Sequence, residues 1–133
     1  MRWWKSMVLI DANAILRYTL QDNIVMANKV EELIETQNVY AGFEVIAEVI
    51  YVLHGVYQLS RMEIIDGLRI FFAHDNLHVE SKEILYLALD LFAVRKLDFV
   101  DTVLYAKNRV YGYDVFTFDK KLNTLLRSQV TEG

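Results

Sequence analysis

The 133-residue chain has no cysteine and no proline, only five glycines and only three histidines. Without cysteine there is no thiol nucleophile, no disulfide and no thiolate zinc site, which fits a reducing compartment and a cytoplasmic location. The histidines (His54, His74, His78) lack metal-ligand spacing such as i, i+4 on one helix. The four serines (Ser6, Ser60, Ser81, Ser128) lie outside any nucleophile-elbow context. No apolar run reaches the roughly 18–20 residues needed to span a bilayer, so no membrane contact is expected. Basic excess is missing too: the net charge is −4, where a protein held to nucleic acid by bulk electrostatics is basic. There is no Gly/Ser linker, repeat or low-complexity segment.

What is present is a globular composition, 54% hydrophobic and 24% charged. The length suits a single domain over residues 1–133, which buries roughly two thirds of its unfolded surface. Residues 1–6, "MRWWKS", read as an N-terminal extension too short for a secretory signal.

Short apolar runs alternate with helix-period segments. Strands are expected at Met7–Ile10, Val39–Ala41, Leu77–Val79 and Val115–Phe118. Helices are expected over Ala14–Leu20, Ile24–Thr36, Glu44–Leu59, from Ser60 through Phe72, from Ser81 to about Val94, over Asp98–Tyr111 and over Lys120–Arg127. Ser60 with Glu63 forms a capping-box signature, and Gly112 is placed to end its helix. Strands separated by helices predict an α/β fold with a parallel sheet covered on both faces, whose functional rim lies at the carboxyl ends of the strands.

Two of the expected strands stop on a carboxylate, Asp11 and Asp119. Each could simply cap the next helix. A helical wheel puts Glu48 at the edge of an apolar stripe through Val45, Val49 and Val52, half-buried, with Glu44 turned toward solvent. Asp98 fits a helix cap, and Asp101 borders the apolar stripe while sitting in the first turn, where the helix dipole favours an acid. Two unit charges roughly 5 Å apart cost about 3 kcal/mol at an effective dielectric near 20. Converging carboxylates therefore call for a divalent cation, and Mg²⁺ or Mn²⁺ prefers such oxygen ligands.

The words "LIDANAILRY", "VIAEVIYVLHGVYQLS", "LDFVDTVLYAKNRVYG" and "VFTFD", in that order, resemble a PIN domain, specifically the VapC-like ribonuclease toxins of bacterial and archaeal toxin–antitoxin pairs. The resemblance runs from Met7 to about Leu126. It implies a three-layer α/β/α sandwich with a central parallel sheet of four to five strands, often dimeric. It implies Mg²⁺- or Mn²⁺-dependent cleavage of single-stranded RNA, with Asp11, Glu48, Asp101 and Asp119 as metal-binding and catalytic acids. Asn13 and Thr117 match positions that support those acids from behind. An antitoxin protein is the implied partner. The tail "RSQVTEG" leaves little room for an extra edge strand. Lys107, Arg109, Lys120 and Lys121 could line a basic strip beside the cleft, or simply be solvated.

Three rival readings stand beside this one. A haloacid-dehalogenase-type phosphatase needs a second Asp where Asn13 stands. A receiver domain needs an Asp after the third strand, where Glu80 and Ser81 follow instead. A non-catalytic PIN-like scaffold that binds RNA or protein is the alternative from another class, and none of the four acids is missing to signal it.

Overall fold

The computed structural model describes residues 6–128 and divides into two compact units, Met1–Ser81 and Lys82–Gly133. The ends of the N-terminal extension and of the "RSQVTEG" tail lie outside the described residues.

The first unit carries a three-stranded parallel sheet in the order β1 (Val8–Leu9), β2 (Val39–Tyr40), β3 (Leu77–His78). Val8 pairs with Val39 and Val39 with Leu77. Slanted parallel bonds continue the ladder: Ile10 N–H to the Tyr40 carbonyl at 3.1 Å and Ala41 N–H to the His78 carbonyl at 3.0 Å. Asn76 ties the sheet to the helix Ile24–Thr36 by donating from Nδ2 to the Ile34 carbonyl at 2.8 Å. Val39 and Leu77 are fully buried, as expected of strands in a covered parallel sheet.

Among the described residues, four helices complete this unit: α1 (Ala12–Leu20), α2 (Ile24–Thr36), α3 (Phe43–Gly55) and α4 (Arg61–Phe72). Their apolar faces supply Ile15, Ile34, Ile46, Leu53 and Leu68 to the core. The Phe71 ring meets Tyr18 at 5.4 Å and Phe72 edge-on at 5.1 Å. α3 stops at Gly55, four residues before the expected end. Gln58 takes a left-handed conformation, and Leu59 N–H returns to the Leu53 carbonyl at 3.0 Å, which satisfies a helix-end acceptor and turns the chain.

α4 opens on the capping box legible in the sequence. Glu63 N–H donates to Ser60 Oγ at 3.1 Å, and Ser60 N–H donates to Glu63 Oε1 at 2.8 Å. These bonds hold the Glu63 carboxyl below its ordinary range.

The second unit consists of α5 (Lys82–Val94), α6 (Phe99–Tyr111) and α7 (Lys120–Ser128). α5 and α6 pack on each other, with Phe92 meeting Phe99 edge-on at 6.4 Å. Leu97, Tyr105, Leu122 and Leu125 form a cluster that seats α7, with Val115 and Leu126 packed against it. Gly112 closes α6 at φ 77°, a conformation costly for any side chain.

The expected strand at Val115–Phe118 forms no ladder among the described residues, and the described sheet has three strands. A strand needs a neighbour to bond with, and the second unit holds none among its described residues. The segment keeps a strand-like alternation nonetheless: Val115 and Thr117 are half-buried, while Phe116 and Phe118 are 86% and 88% exposed.

The Ser60 cap is a local, exposed feature and should behave additively. Ser60→Ala is expected to lose about 1 kcal/mol in urea denaturation. Glu63→Gln, which keeps an acceptor for Ser60 N–H, should lose less.

Candidate metal and nuclease site

In the first unit the candidate carboxylates sit on α1 and α3. Asp11 follows β1 directly and caps α1: Ala14 N–H donates to Asp11 Oδ1 at 2.9 Å. Only one oxygen is used in that bond, so capping and ligation are compatible. Asn13 is exposed in the first turn of α1.

Glu48 is exposed, not half-buried as the wheel suggested. The buried face of α3 runs through Ile46, Val49, Ile50 and Leu53, rotated from the stripe drawn through Val45 and Val52. At about 100° per residue, Glu48 lies nearly opposite that face. The valines misled because α3 is apolar almost all round, so its pattern fixes the helix but not its rotation. Glu44 is exposed as expected, and its carboxylate folds back toward Gly42, where an added Cβ would collide with it. Gly42 has no side chain to cap α3, and an acid in the first turn complements the dipole there.

The second unit brings three acids into one open cleft of about 390 Å³, lined by Asp98, Asp101 and Asp119 together with Lys96, Lys120 and Lys121. Asp119 is fixed from both sides. Its N–H donates to Thr117 Oγ1 at 3.0 Å, and its Oδ1 accepts from Leu122 N–H at 2.8 Å, capping α7. Thr117 is itself anchored, its carbonyl accepting from Asn123 Nδ2 at 2.8 Å. Sequence reasoning had passed over Asn123; an amide one turn into a helix that starts on an Asp was the available signal.

Asp98 holds the cap position of α6, yet its side chain makes no capping bond. Asp101 is half-buried, and its carboxyl is raised above the ordinary range, first by burial, then by the charges of Asp119 and Asp98. The dipole of α6 works the other way, favouring the anion at this first-turn position. Burial and like charge win, so the ionised Asp101 is held at a cost to the fold.

Hard carboxylate oxygens set close to one another are the donor chemistry of a Mg²⁺ or Mn²⁺ site. Among the described residues, however, no group of three or more His, Asp or Glu side chains is gathered closely enough to hold an ion. The donors fit the metal in kind, without being drawn together as a ready-made cage.

The expected basic strip divides. Lys120 and Lys121 line the acidic cleft, joined by Lys96, which the sequence reading had not singled out. Arg109 is elsewhere: it donates to the Tyr105 hydroxyl at 3.1 Å and lines a separate cleft with Glu83.

Comparison with known families gives one match. The PIN domain family matches residues 8–125, a span that takes in the described strands and nearly all of the helices. No curated protein matches the chain, and no solved structure matches it.

These electrostatics have a definite sign. A carboxyl whose folded pKa is raised lends stability below its unfolded pKa and loses it as pH rises through the folded value. Asp101→Asn should therefore raise the melting temperature at pH 7 in EDTA. It should also flatten the fall in stability as pH rises just above the ordinary carboxylate range. Asp119→Ala should lose about 1 kcal/mol as a cap deletion. Asp98→Ala should lose less, since no side-chain bond is removed. Thermal melts across pH 3.5–7 separate the three; an Asp101→Asn variant less stable than wild type at pH 7 would refute the assignment.

Proposed function

Because this chain belongs to the PIN-domain family, whose members are typically nucleases, we propose that it is a metal-dependent endoribonuclease cutting single-stranded RNA. We further propose that it is the toxin of a toxin–antitoxin pair, works in the cytoplasm as one nuclease domain, and forms a homodimer. The observation that carries the nuclease reading is the half-buried Asp101 kept beside Asp119 and Asp98 at a cost to the fold. A divalent cation bound there would relieve that like charge.

In this reading Asp11, Glu48, Asp101 and Asp119 hold the ion. Bound there, Mg²⁺ or Mn²⁺ supplies acidification of water and neutralisation of charge on phosphoryl oxygens. The chain's own contribution is positioning. Thr117 and Leu122 fix the backbone and one oxygen of Asp119, and the helix cap fixes one oxygen of Asp11. Lys120 and Lys121, beside Asp119, supply positive charge for a polyanionic substrate. A central sheet of four to five strands, with 115–118 as a further strand, is part of the same proposal.

The dimer is supported by apolar side chains left on the surface of the first unit, such as Tyr51 (76% exposed) on α3 and Ile70 (67% exposed) on α4. An antitoxin peptide would enter the acidic cleft through an arginine. A non-catalytic PIN-like scaffold that binds RNA or protein is the alternative reading.

Cleavage of a single-stranded RNA with Mn²⁺ tests the reading directly. Glu48→Gln and Asp101→Asn should lose most of the activity, while Glu44→Gln should retain it. Millimolar Mn²⁺ should raise the wild-type melting temperature by binding the native state alone, and Asp11→Asn should blunt that rise. Full activity in Glu48→Gln would sink the ligand set; absence of both cleavage and metal stabilisation would leave the scaffold. Light scattering at tens of micromolar should give a dimer mass, and a clean monomer would count against that part.

A further inference from the structure

With a net charge of −4, the chain offers no bulk attraction to a polyanion, so a bound nucleic acid must be held by cations set in particular places. The second unit has such a place next to the acidic cleft. A second open cleft, of about 370 Å³, is lined by Arg95, Lys96, Lys121, Thr124 and Ser128, with Leu97 among them. It has three cationic residues and no carboxylate in its lining. Lys96, Leu97 and Lys121 line both clefts, so the two share a wall. One side of that wall presents Asp98, Asp101 and Asp119; the other presents Arg95, Lys96 and Lys121 with no carboxylate, around a lining that also includes Leu97 and Leu125.

The shared lysines come from different elements. Lys96 lies in the short connection between α5 and α6, and Lys121 in the first turn of α7. Both are exposed, and neither forms an ion pair among the described residues, although carboxylates line the neighbouring cleft. Thr124 already donates its hydroxyl proton to the Lys120 carbonyl at 2.9 Å, so the two lysines, not Thr124, are the groups suited to an anion.

We propose that the cleft bounded by Arg95, Lys96 and Lys121 seats a phosphodiester of the RNA strand next to the one presented to the carboxylates, and so sets which bond is cut. A strand crossing the shared wall passes over Lys96 and Lys121 before it reaches the acids. That resolves how an acidic chain can offer carboxylates to a polyanion without repelling it. The inference rests on the nuclease reading above for its substrate, but the lysines can be tested apart from cleavage.

The experiment is fluorescence anisotropy of a short labelled single-stranded RNA with the full chain in EDTA, titrated at several KCl concentrations. Lys96→Gln/Lys121→Gln should weaken binding about tenfold and reduce the slope of log K against log salt by roughly 0.7, the value for one phosphate contact on a single strand. The Lys96→Arg/Lys121→Arg pair should recover only part of both, because charge is kept while arginine bridges more readily to the neighbouring aspartates. Lys29→Gln, on α2, should change neither. With Mn²⁺, the glutamine pair should raise KM and leave kcat near wild type, the pattern of lost substrate binding. Unchanged affinity and salt slope in the glutamine pair, or no RNA binding by the wild type, would overturn the cleft whatever the cleavage assay gives. Binding that depends on these lysines without any Mn²⁺-dependent cleavage would uphold the cleft and remove the nuclease reading.

Discussion

A carboxylate that follows an extended segment and closes the next helix is the constraint from which the candidate site is built. It occurs at Asp11, bonded to Ala14 N–H, and again at Asp119, bonded to Leu122 N–H. The helix N-terminus demands an acceptor because its first amides have no partner within the helix. Meeting that demand with Asp fixes one oxygen in space and leaves the other out of the cap. Stability and chemistry therefore use different atoms of one side chain. A Ser or Asn cap would meet the first need and bring no charge.

Charge at Asp101 follows a different logic. Its position in the first turn of α6 is electrostatically favourable, yet burial and two neighbouring carboxylates reverse the balance. The lysines that line the same cleft do not relieve it through an ion pair among the described residues. Exposed pairs are worth only about 0–1 kcal/mol, while ordering a long side chain costs entropy, so flexible lysines at this rim have little reason to lock onto the acids. The negative charge stays concentrated, and the positive charge stays mobile around it.

Much of this was legible in the sequence, and the limits are physical. Ser60 and Glu63 announced α4 because a capping box is a local code, and Gly112 announced the end of α6 for the same reason. The parallel sheet followed from alternation of strands and helices, although only three strands pair among the described residues. Val115–Phe118 shows why: apolarity and alternation give a segment strand character, but pairing is a property of two segments. The rotation of α3 was illegible because apolar residues surround most of the helix, and so Glu48 was placed on the wrong part of its circumference. The half-burial of Asp101 was legible because α6 is more sharply amphipathic. Lys96 was missed because a residue in a connection has no periodicity to read.

The acidic balance of the chain looks like an objection to any role with RNA, but net charge governs only long-range attraction. Over distances beyond a Debye length, about 8 Å at physiological ionic strength, charges are screened and the chain as a whole steers little. Within that length, what acts is the local order of charges. Around α7 the order is a basic cleft with no carboxylate, a wall carrying Lys96 and Lys121, and then three aspartates. Lysine suits such a wall better than arginine would, being a compact, rotatable charge with less tendency to lock a carboxylate in a two-pronged pair. An arginine at either position would be more inclined to bridge to Asp98, Asp101 or Asp119 and cancel the contrast. The contrast survives because the cations next to the acids are of the kind that binds them least.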